Sequence, residues 1–390
     1  MKQPTKPPRS ALNPARILHL HSTFDLGGKE ARAVRLMNHF GPAAHHTILT
    51  AVPDALGARG AIAPGIRADF PTDAPSLAGK PSIARYRVFV EYFKQFDLIC
   101  SYNWGAMDGV MARTLFAGQT RLPPVVHHED GFNEDEAVRL KRKRNWFRMV
   151  ALARTEALVV PSYTLERIAL NVWKQPDSRV RRIPNGIDIA AYAKRPQRGA
   201  MSGLQRRDGE IVIGTLAGLR AVKNLPRLVR AVAALDLPVR LVIVGEGPER
   251  AAIEAEAARV GLTDRLLMPG FLKSPARFVG LFDIFALSSD SEQQPISVIE
   301  AMAAGLPVAA PMVGDIAHMV APDNAVLLGE PGSEAGLIDC LKRLAADPAL
   351  RASLGAANRA KAKEEFDERR MLDRYAALYG RAMGRPEFGR

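Results

Sequence analysis

The chain reads as an α/β protein of two doubly wound domains, and three observations carry that expectation. Its 390 residues exceed one average domain and suit two of similar bulk. Short apolar stretches bounded by Gly, Pro or polar residues alternate with longer stretches of helical periodicity, the pattern of a parallel sheet covered by helices on both faces. That alternation runs twice, with an irregular polar stretch between the two series. Sheets of this kind take ligands at the carboxyl ends of their strands, so functional side chains are expected in the loops that follow strands.

In the first series "ARILHLHS" is a strand and "GGKEARAVRLMNHFG" a glycine-initiated helix, apolar at Ala33, Leu36, Met37 and Phe40 and closed by Gly41. Further strands are "HHTILTAV", "FDLICSY", "PPVVHH" and "ALVVPS", the last followed by the helix "SYTLERIALNVW". Residues 13–188 are expected to form this domain, and 189–209, polar and basic, a linker or surface loop. The second domain, 210–366, alternates "IVIGTLAG", helix "NLPRLVRAVAAL", strand "PVRLVIVG", helix "GPERAAIEAEAARVG", strands "RLLMPGF" and "FDIFALSS", a helix from about 295 to 304, then strands "GLPVAAPM" and "NAVLLG". The remainder is helical with breaks at Pro348 and Gly355, and the helix at 367–390 is expected to cross back to the first domain.

Composition narrows the classes. Hydrophobic residues at 47% and charged residues at 24% fit a soluble globular protein and exclude a fibrous or disordered one. The longest apolar runs are broken by charge or proline well short of the ~20 residues that span a bilayer. "MKQPTKPPRS" lacks the apolar core of a signal peptide, so residues 1–12 are expected to be a loose tail on a cytoplasmic protein. Cys100 and Cys340 are far apart in apolar text, which points to buried free thiols rather than a disulfide or a thiolate metal site. The net charge of +13 implies attraction to polyanions. With aromatics at 6% and the basic residues spread along helices, no nucleic-acid partner is expected.

The stretch "SSDSEQQPISVIEAMAAGLPVAA", 288–310, holds the most specific chemistry. Pro295 suits a first helical turn, Gly305 a helix end, and Pro307 blocks continuation. "SSDSEQQ" is therefore a strand-to-helix loop at the carboxyl edge of the sheet, where the helix N-terminus offers bare N–H groups to a phosphate. Glu292 in the loop and Glu300 in the helix are too far apart along the helix to stack, so each would meet a different part of a ligand, and carboxylates accept from sugar hydroxyls. The plain alternative is a solvated helix glutamate at 300 and a near-cap charge at 292.

"EQQPISVIEAMAAGLPVAA" resembles the Glu-x7-Glu signature of the retaining glycosyltransferases of family 4, also called glycosyl transferases group 1, which have the GT-B fold. "DLGGKE", "IPNGID", "AVKN" and "VGEGPER" resemble other segments of that family in the right order over nearly the whole chain. The resemblance implies two Rossmann-like domains facing across a cleft, and transfer of a sugar from a nucleotide diphosphate sugar to an acceptor hydroxyl. It implies that Gly27 and Gly28 let the first domain approach the donor diphosphate, that Lys223 and Arg220 neutralise it, that Glu300 holds the ribose and that Glu292 holds the transferred sugar. Two features depart from the family text. Gly218 stands where relatives carry arginine, so Arg220 would replace it from a shifted position. Gln293, Gln294 and Pro295 stand where Gly-Phe-Gly is usual, placing two amides in the donor site.

A family histidine near the reacting sugar corresponds to His127, His128 or Asp130, and His128 is the reading taken, as a catalytic residue beside Glu292 and Lys223. No Asp-x-Asp text occurs and the His pair has no third ligand at helix spacing, so neither metal nor cofactor is expected. Around Trp146 and Phe147, "RLKRKRNWFRMVALA" carries six basic residues. It suits an anionic membrane surface, consistent with a family that uses sugar or lipid-linked acceptors in cell-surface polysaccharide or lipopolysaccharide assembly. A solvated helix face with Trp146 packed inward is the preferred reading of that stretch. In "GEGPER" Arg250 replaces the third glycine of a dinucleotide fingerprint, which disfavours a dehydrogenase. The rival functions are a nucleotide-sugar 2-epimerase and a catalytically silent sugar-nucleotide or polyanion binder.

Overall fold

The computed structural model describes residues 13–25, 27–132, 134–136 and 139–389. The expected tail at 1–12 and Leu26 of "DLGGKE" lie outside them. Twelve parallel strands among the described residues form two sheets. The first comprises β1 (Ala15–His21), β2 (Ala44–Thr50), β3 (Arg67–Asp69), β4 (Leu98–Tyr102), β5 (Val125–His128), β6 (Ala157–Val160) and β7 (Val180–Arg182), in the order β3-β2-β1-β4-β5-β6-β7. The second comprises β8 (Ile211–Leu216), β9 (Val239–Val244), β10 (Leu266–Gly270), β11 (Ile284–Ala286) and β12 (Val308–Ala309), in the order β10-β9-β8-β11-β12. By contacts the chain divides into one compact unit of residues through His128, Phe147–Leu158 and Asp373 onward, and a second of Glu129–Trp146 and Val159–Leu372.

In the first unit α1 (Gly28–Phe40), α2 (Ile83–Phe93) and α3 (Met107–Phe116) bury Ala33, Leu36, Phe89, Phe93 and Val110 along with the apolar residues of β1 and β4. Beside this core runs a chain of buried polar rings. His46 Nδ1 and His19 Nε2 are 3.0 Å apart, His19 Nδ1 lies 3.1 Å from the Tyr102 hydroxyl, and His128 Nε2 lies 2.8 Å from the Tyr379 hydroxyl. Burial makes the charged form costly. It holds His19 and His21 well below the usual histidine range and His46 at about 4, and it lifts the Cys100 thiol to about 12. Cys100 and Cys340 are buried free thiols.

Helix α4 (Arg142–Ala151) lies within the basic stretch, and its orientation reverses the expectation for Trp146. Trp146 is 61% exposed. The inward positions go to its neighbours in the first unit: Phe147 meets Trp104 edge-on at 5.5 Å, and the buried Arg148 lies over the same indole at 5.0 Å. A helical turn cannot point three consecutive residues inward.

In the second unit α5 (Tyr163–Asn171) and α6 (Ile189–Tyr192) precede the second sheet. Its sheet is then covered by α7 (Leu225–Ala233), α8 (Arg250–Arg259), α9 (Ile296–Ala303), the single turns α10 (Ile316–Met319) and α11 (Pro322–Ala325), α12 (Glu334–Ala346) and α13 (Pro348–Glu365). Residues 189–209, expected to be a linker or loop, pack here, with Tyr192 and Met201 buried. The final helix, α14 (Glu368–Ala382), contributes residues to both units.

Two expectations for the second unit are corrected. "NAVLLG" is not a strand, because the buried Asn324 side chain already occupies the edge of β12. Its amide accepts from Val308 N (2.9 Å) and donates to Val308 O (2.8 Å), doing what a neighbouring strand's backbone would do. Gly355 does not break the helix either. It lies inside α13, where an added Cβ would sit 2.1 Å from the carbonyl oxygen of Gly305, so the glycine serves close packing of the helix against that turn.

Candidate functional site

The site is built from two loops at the carboxyl edge of the second sheet. The loop after β8 carries Arg220 and Lys223, and the glycines of "VGEGPER" hold it in place. Gly245 and Gly247 have φ of +146° and +156°, and a Cβ on either would meet the carbonyl oxygens of Ala217 and Leu219 at 1.9 and 2.4 Å. Only glycine lets the loop lie this close, and Leu219 N then donates to Glu246 O at 2.9 Å. Asn224, in the left-handed conformation at φ +43°, turns the chain from this loop into α7.

The second loop follows β11 and is tied to the first. Asp290 N donates to Val222 O (2.9 Å), Ser288 Oγ to Lys223 O (3.0 Å) and Arg227 to Ser288 O (3.1 Å). Glu292 lies in this loop, and its Oε1 accepts from Lys223 Nζ at 2.5 Å and Ser289 Oγ at 2.7 Å. Both members of the ion pair are largely buried, with 16% and 8% of their side chains exposed. They open onto a cleft of about 600 Å³ lined by Asp130, Gly131, Phe132, Asp135, Arg220, Val222, Lys223, Ser291, Glu292 and Gln293. Two cations and several acids thus converge on one cleft, as binding an anionic, hydroxyl-rich ligand requires.

A second layer fixes the loop from behind. Gly314, at φ +58°, packs so closely that a Cβ would lie 2.2 Å from the carbonyl oxygen of Glu292, and Asp315 N donates to Gln293 O at 2.9 Å. The buried carboxylate of Asp315 accepts from Tyr163 N (2.6 Å) and from Thr164 N and Oγ1 (3.0 and 2.9 Å), capping α5 from a distant segment. Gln294 Oε1 accepts from Asn185 N at 2.6 Å. Glu300, on α9, accepts from the Tyr192 hydroxyl at 2.9 Å. Pro295 precedes α9 and no side chain caps its N-terminus.

The structure therefore brings Glu292, Lys223, Arg220 and Gln293 to one cleft. Gln294 is buried instead and holds the "IPNGID" segment. Glu300 is 9% exposed beside Tyr192 and is not among the residues lining this cleft. Of the three alternatives near the reacting sugar, Asp130 lines it. His127 and His128 are wholly buried in the first unit, His128 against Tyr379 and the Ser101 carbonyl. Gly27 caps α1 in that unit with no side-chain bond, and Gly28 is its first residue. Ser289, Asn185, Tyr192 and Asp315 escaped the sequence reading. The "N" of "IPNGID" and the "GD" after "PMV" are the only local signals of that group. Among the described residues no group of three or more His, Cys, Asp or Glu could hold a metal ion.

Two family models match in tandem. The model of glycosyl transferases group 1 matches residues 200–361, and that of Glycosyltransferase Family 4 matches residues 26–191. The chain belongs to the group 1 glycosyltransferases. 2-Deoxystreptamine glucosyltransferase of Streptomyces kanamyceticus is 32% identical over 212 residues, covering 52% of this chain and 54% of the relative. The lipopolysaccharide core biosynthesis glycosyltransferase LpsD of Rhizobium meliloti is 29% identical over 163 residues, 42% of this chain and 47% of the relative. The chain thus spans about half the length of the curated relatives it matches. Among solved structures, HepE of Anabaena in complex with UDP superposes with a TM-score of 0.77 at 19% identity, covering 94% of this chain and all of that one. That likeness establishes the two-domain α/β GT-B fold expected from the sequence.

Among the described residues no helix is long and apolar enough to cross a membrane. In the basic stretch Arg139, Arg142 and Lys143 are exposed beside Trp146, whereas Lys141 and Arg144 pair with Asp135 at 2.6 and 2.9 Å.

Proposed function

We propose that this group 1 glycosyltransferase moves a sugar from a nucleotide diphosphate donor to an acceptor hydroxyl with retention of configuration, in cell-surface polysaccharide or lipopolysaccharide assembly. The observation that carries the reading is the meeting of Arg220, Lys223 and Glu292 on one cleft. The bond from the anomeric carbon to the diphosphate oxygen breaks as the acceptor oxygen bonds to that carbon from the same face. The acceptor's proton leaves with the diphosphate. Arg220 and Lys223 receive the negative charge that develops on the leaving group. Glu292, released from Lys223, accepts from the hydroxyls of the transferred sugar, with Gln293 beside it, while Glu300 takes the ribose. With two cations at the leaving group, the reaction needs no metal, and chelator should leave the rate unchanged. A uridine donor is favoured by the UDP and UDP-glucose complexes of HepE, and a polysaccharide or lipopolysaccharide acceptor by the name of LpsD. Exposed Trp146 with Arg139, Arg142 and Lys143 supports docking on the anionic inner face of a membrane.

The test is release of nucleotide from a panel of UDP-, GDP- and ADP-sugars in the presence of acceptor extracts. One donor should turn over, and Lys223→Met should lower kcat about 10²- to 10³-fold, the usual cost of removing a donor aimed at developing charge. Interconversion of the donor sugar without acceptor would establish the epimerase instead. Binding without turnover would establish the silent binder.

A further inference from the structure

We infer that Tyr192 is a positioning residue for the nucleotide ribose, acting through Glu300; this rests on the reading of Glu300 as the ribose ligand. The two acids of the signature are held in different ways. Glu292 is bonded to a cation, Lys223. Glu300 is bonded to a phenol, that of Tyr192, whose hydroxyl donates to Oε1 at 2.9 Å, with both residues more than nine-tenths buried. A carboxylate offers about four acceptor positions and the phenol takes one of them. The phenol fixes the direction of the carboxylate for the ribose hydroxyls without bringing a counter-charge of its own.

The phenol is itself fixed by the chain that carries it. Tyr192 ends the single turn of α6, which Asp188 caps by accepting from Ala191 N at 3.3 Å. Just before it, Ile187 N donates to Phe366 O and Glu368 N donates to Ile187 O, both at 3.0 Å. Gly186 lies so close to that partner segment that a Cβ would sit 2.7 Å from the Glu368 Cα. Asn185, one residue further back, holds Gln294 in the Glu292 loop. The "IPNGIDIAAY" segment thus supports both acids of the signature, one through Gln294 and the other through Tyr192.

The test titrates the full chain, as wild type, Tyr192→Phe and Glu300→Ala, with UDP and 2′,3′-dideoxy-UDP, and with the GDP and ADP pairs if the uridine pair does not bind. Wild type should prefer the ribonucleotide at least tenfold. Tyr192→Phe should weaken the ribonucleotide by about three- to tenfold, the worth of one hydrogen bond, and leave the dideoxynucleotide unchanged. A purely structural role would weaken both equally and overturns the inference, as does an unaltered preference in Tyr192→Phe when Glu300→Ala abolishes it. If Glu300→Ala keeps the preference, or no diphosphate binds to wild type, the ribose reading fails and the inference with it. Tyr192→Phe removes a single oxygen, and a thermal melt confirms that it is folded.

Discussion

Replacing Gly314 with alanine would move Glu292 without substituting any residue that meets the substrate. Gly314 sits at φ +58°, where a residue with a Cβ costs roughly 1–2 kcal/mol. The added carbon would also lie 2.2 Å from the carbonyl oxygen of Glu292 and 2.9 Å from that of Gln293. Ordinary contact is about 3.5 Å, so the Glu292 backbone must retreat by roughly 1 Å or the turn must unwind. Overpacking of this kind costs about 1–3 kcal/mol, for a total of roughly 2–5 kcal/mol. A 1 Å displacement of a positioning group costs on the order of 10²-fold in rate. Gly314→Ala should therefore lower both the melting temperature and the rate of nucleotide release, with the rate still depressed well below the melt. A variant that melts and turns over like wild type would refute the claim that Gly314 sets the height of Glu292.

Three further outcomes follow from buried groups. His46 titrates at about 4 in the fold and near 6.5 when unfolded, so the unfolded chain binds the extra proton in between. Stability is then complete above pH 6.5 and falls as the pH drops towards 4, by on the order of 3 kcal/mol from this residue alone. His19 and His21 shift in the same direction, and denaturant midpoints that agree at pH 7.5 and 5.0 would contradict this. Gly355→Ala would raise helix propensity by about 1 kcal/mol at an exposed site. Here the 2.1 Å approach to the Gly305 carbonyl should reverse the sign, and a raised melting temperature would show the contact to be soft. Asn324→Ala strips partners from Val308 N, Val308 O and the Asn358 amide. The expected loss is about 3 kcal/mol, and a loss below about 1 kcal/mol by chemical denaturation would show that water replaces the side chain.

The legible part of the fold was what local pattern controls. Apolar strands punctuated by Gly and Pro contain β11 and β12, and the helix bracketed by Pro295 and Gly305 lies within one residue of α9. That Glu292, Lys223 and Arg220 come together on one cleft was legible because the order of several short motifs along the chain carries information that each motif lacks alone. The unread part depends on partners distant in sequence. Tyr192 and Glu300 are 108 residues apart and Asn185 and Gln294 109, and composition marks the stretch that carries Tyr192 as a linker. "NAVLLG" has a strand's apolar content, yet one asparagine side chain occupies the edge that a strand would need. His128 ends a strand at the expected edge of the sheet, but a side chain's direction alternates along a strand, and here it turns into the core towards Tyr379.

The most direct measurement is a crystal structure with the nucleotide sugar that the donor panel selects, or with its nucleotide diphosphate. The account predicts the diphosphate within hydrogen-bond distance of Arg220 and Lys223, the ribose hydroxyls on Glu300, and the bond between Lys223 and Glu292 broken in favour of the ligand. A nucleotide seated elsewhere, with that ion pair intact, would contradict it.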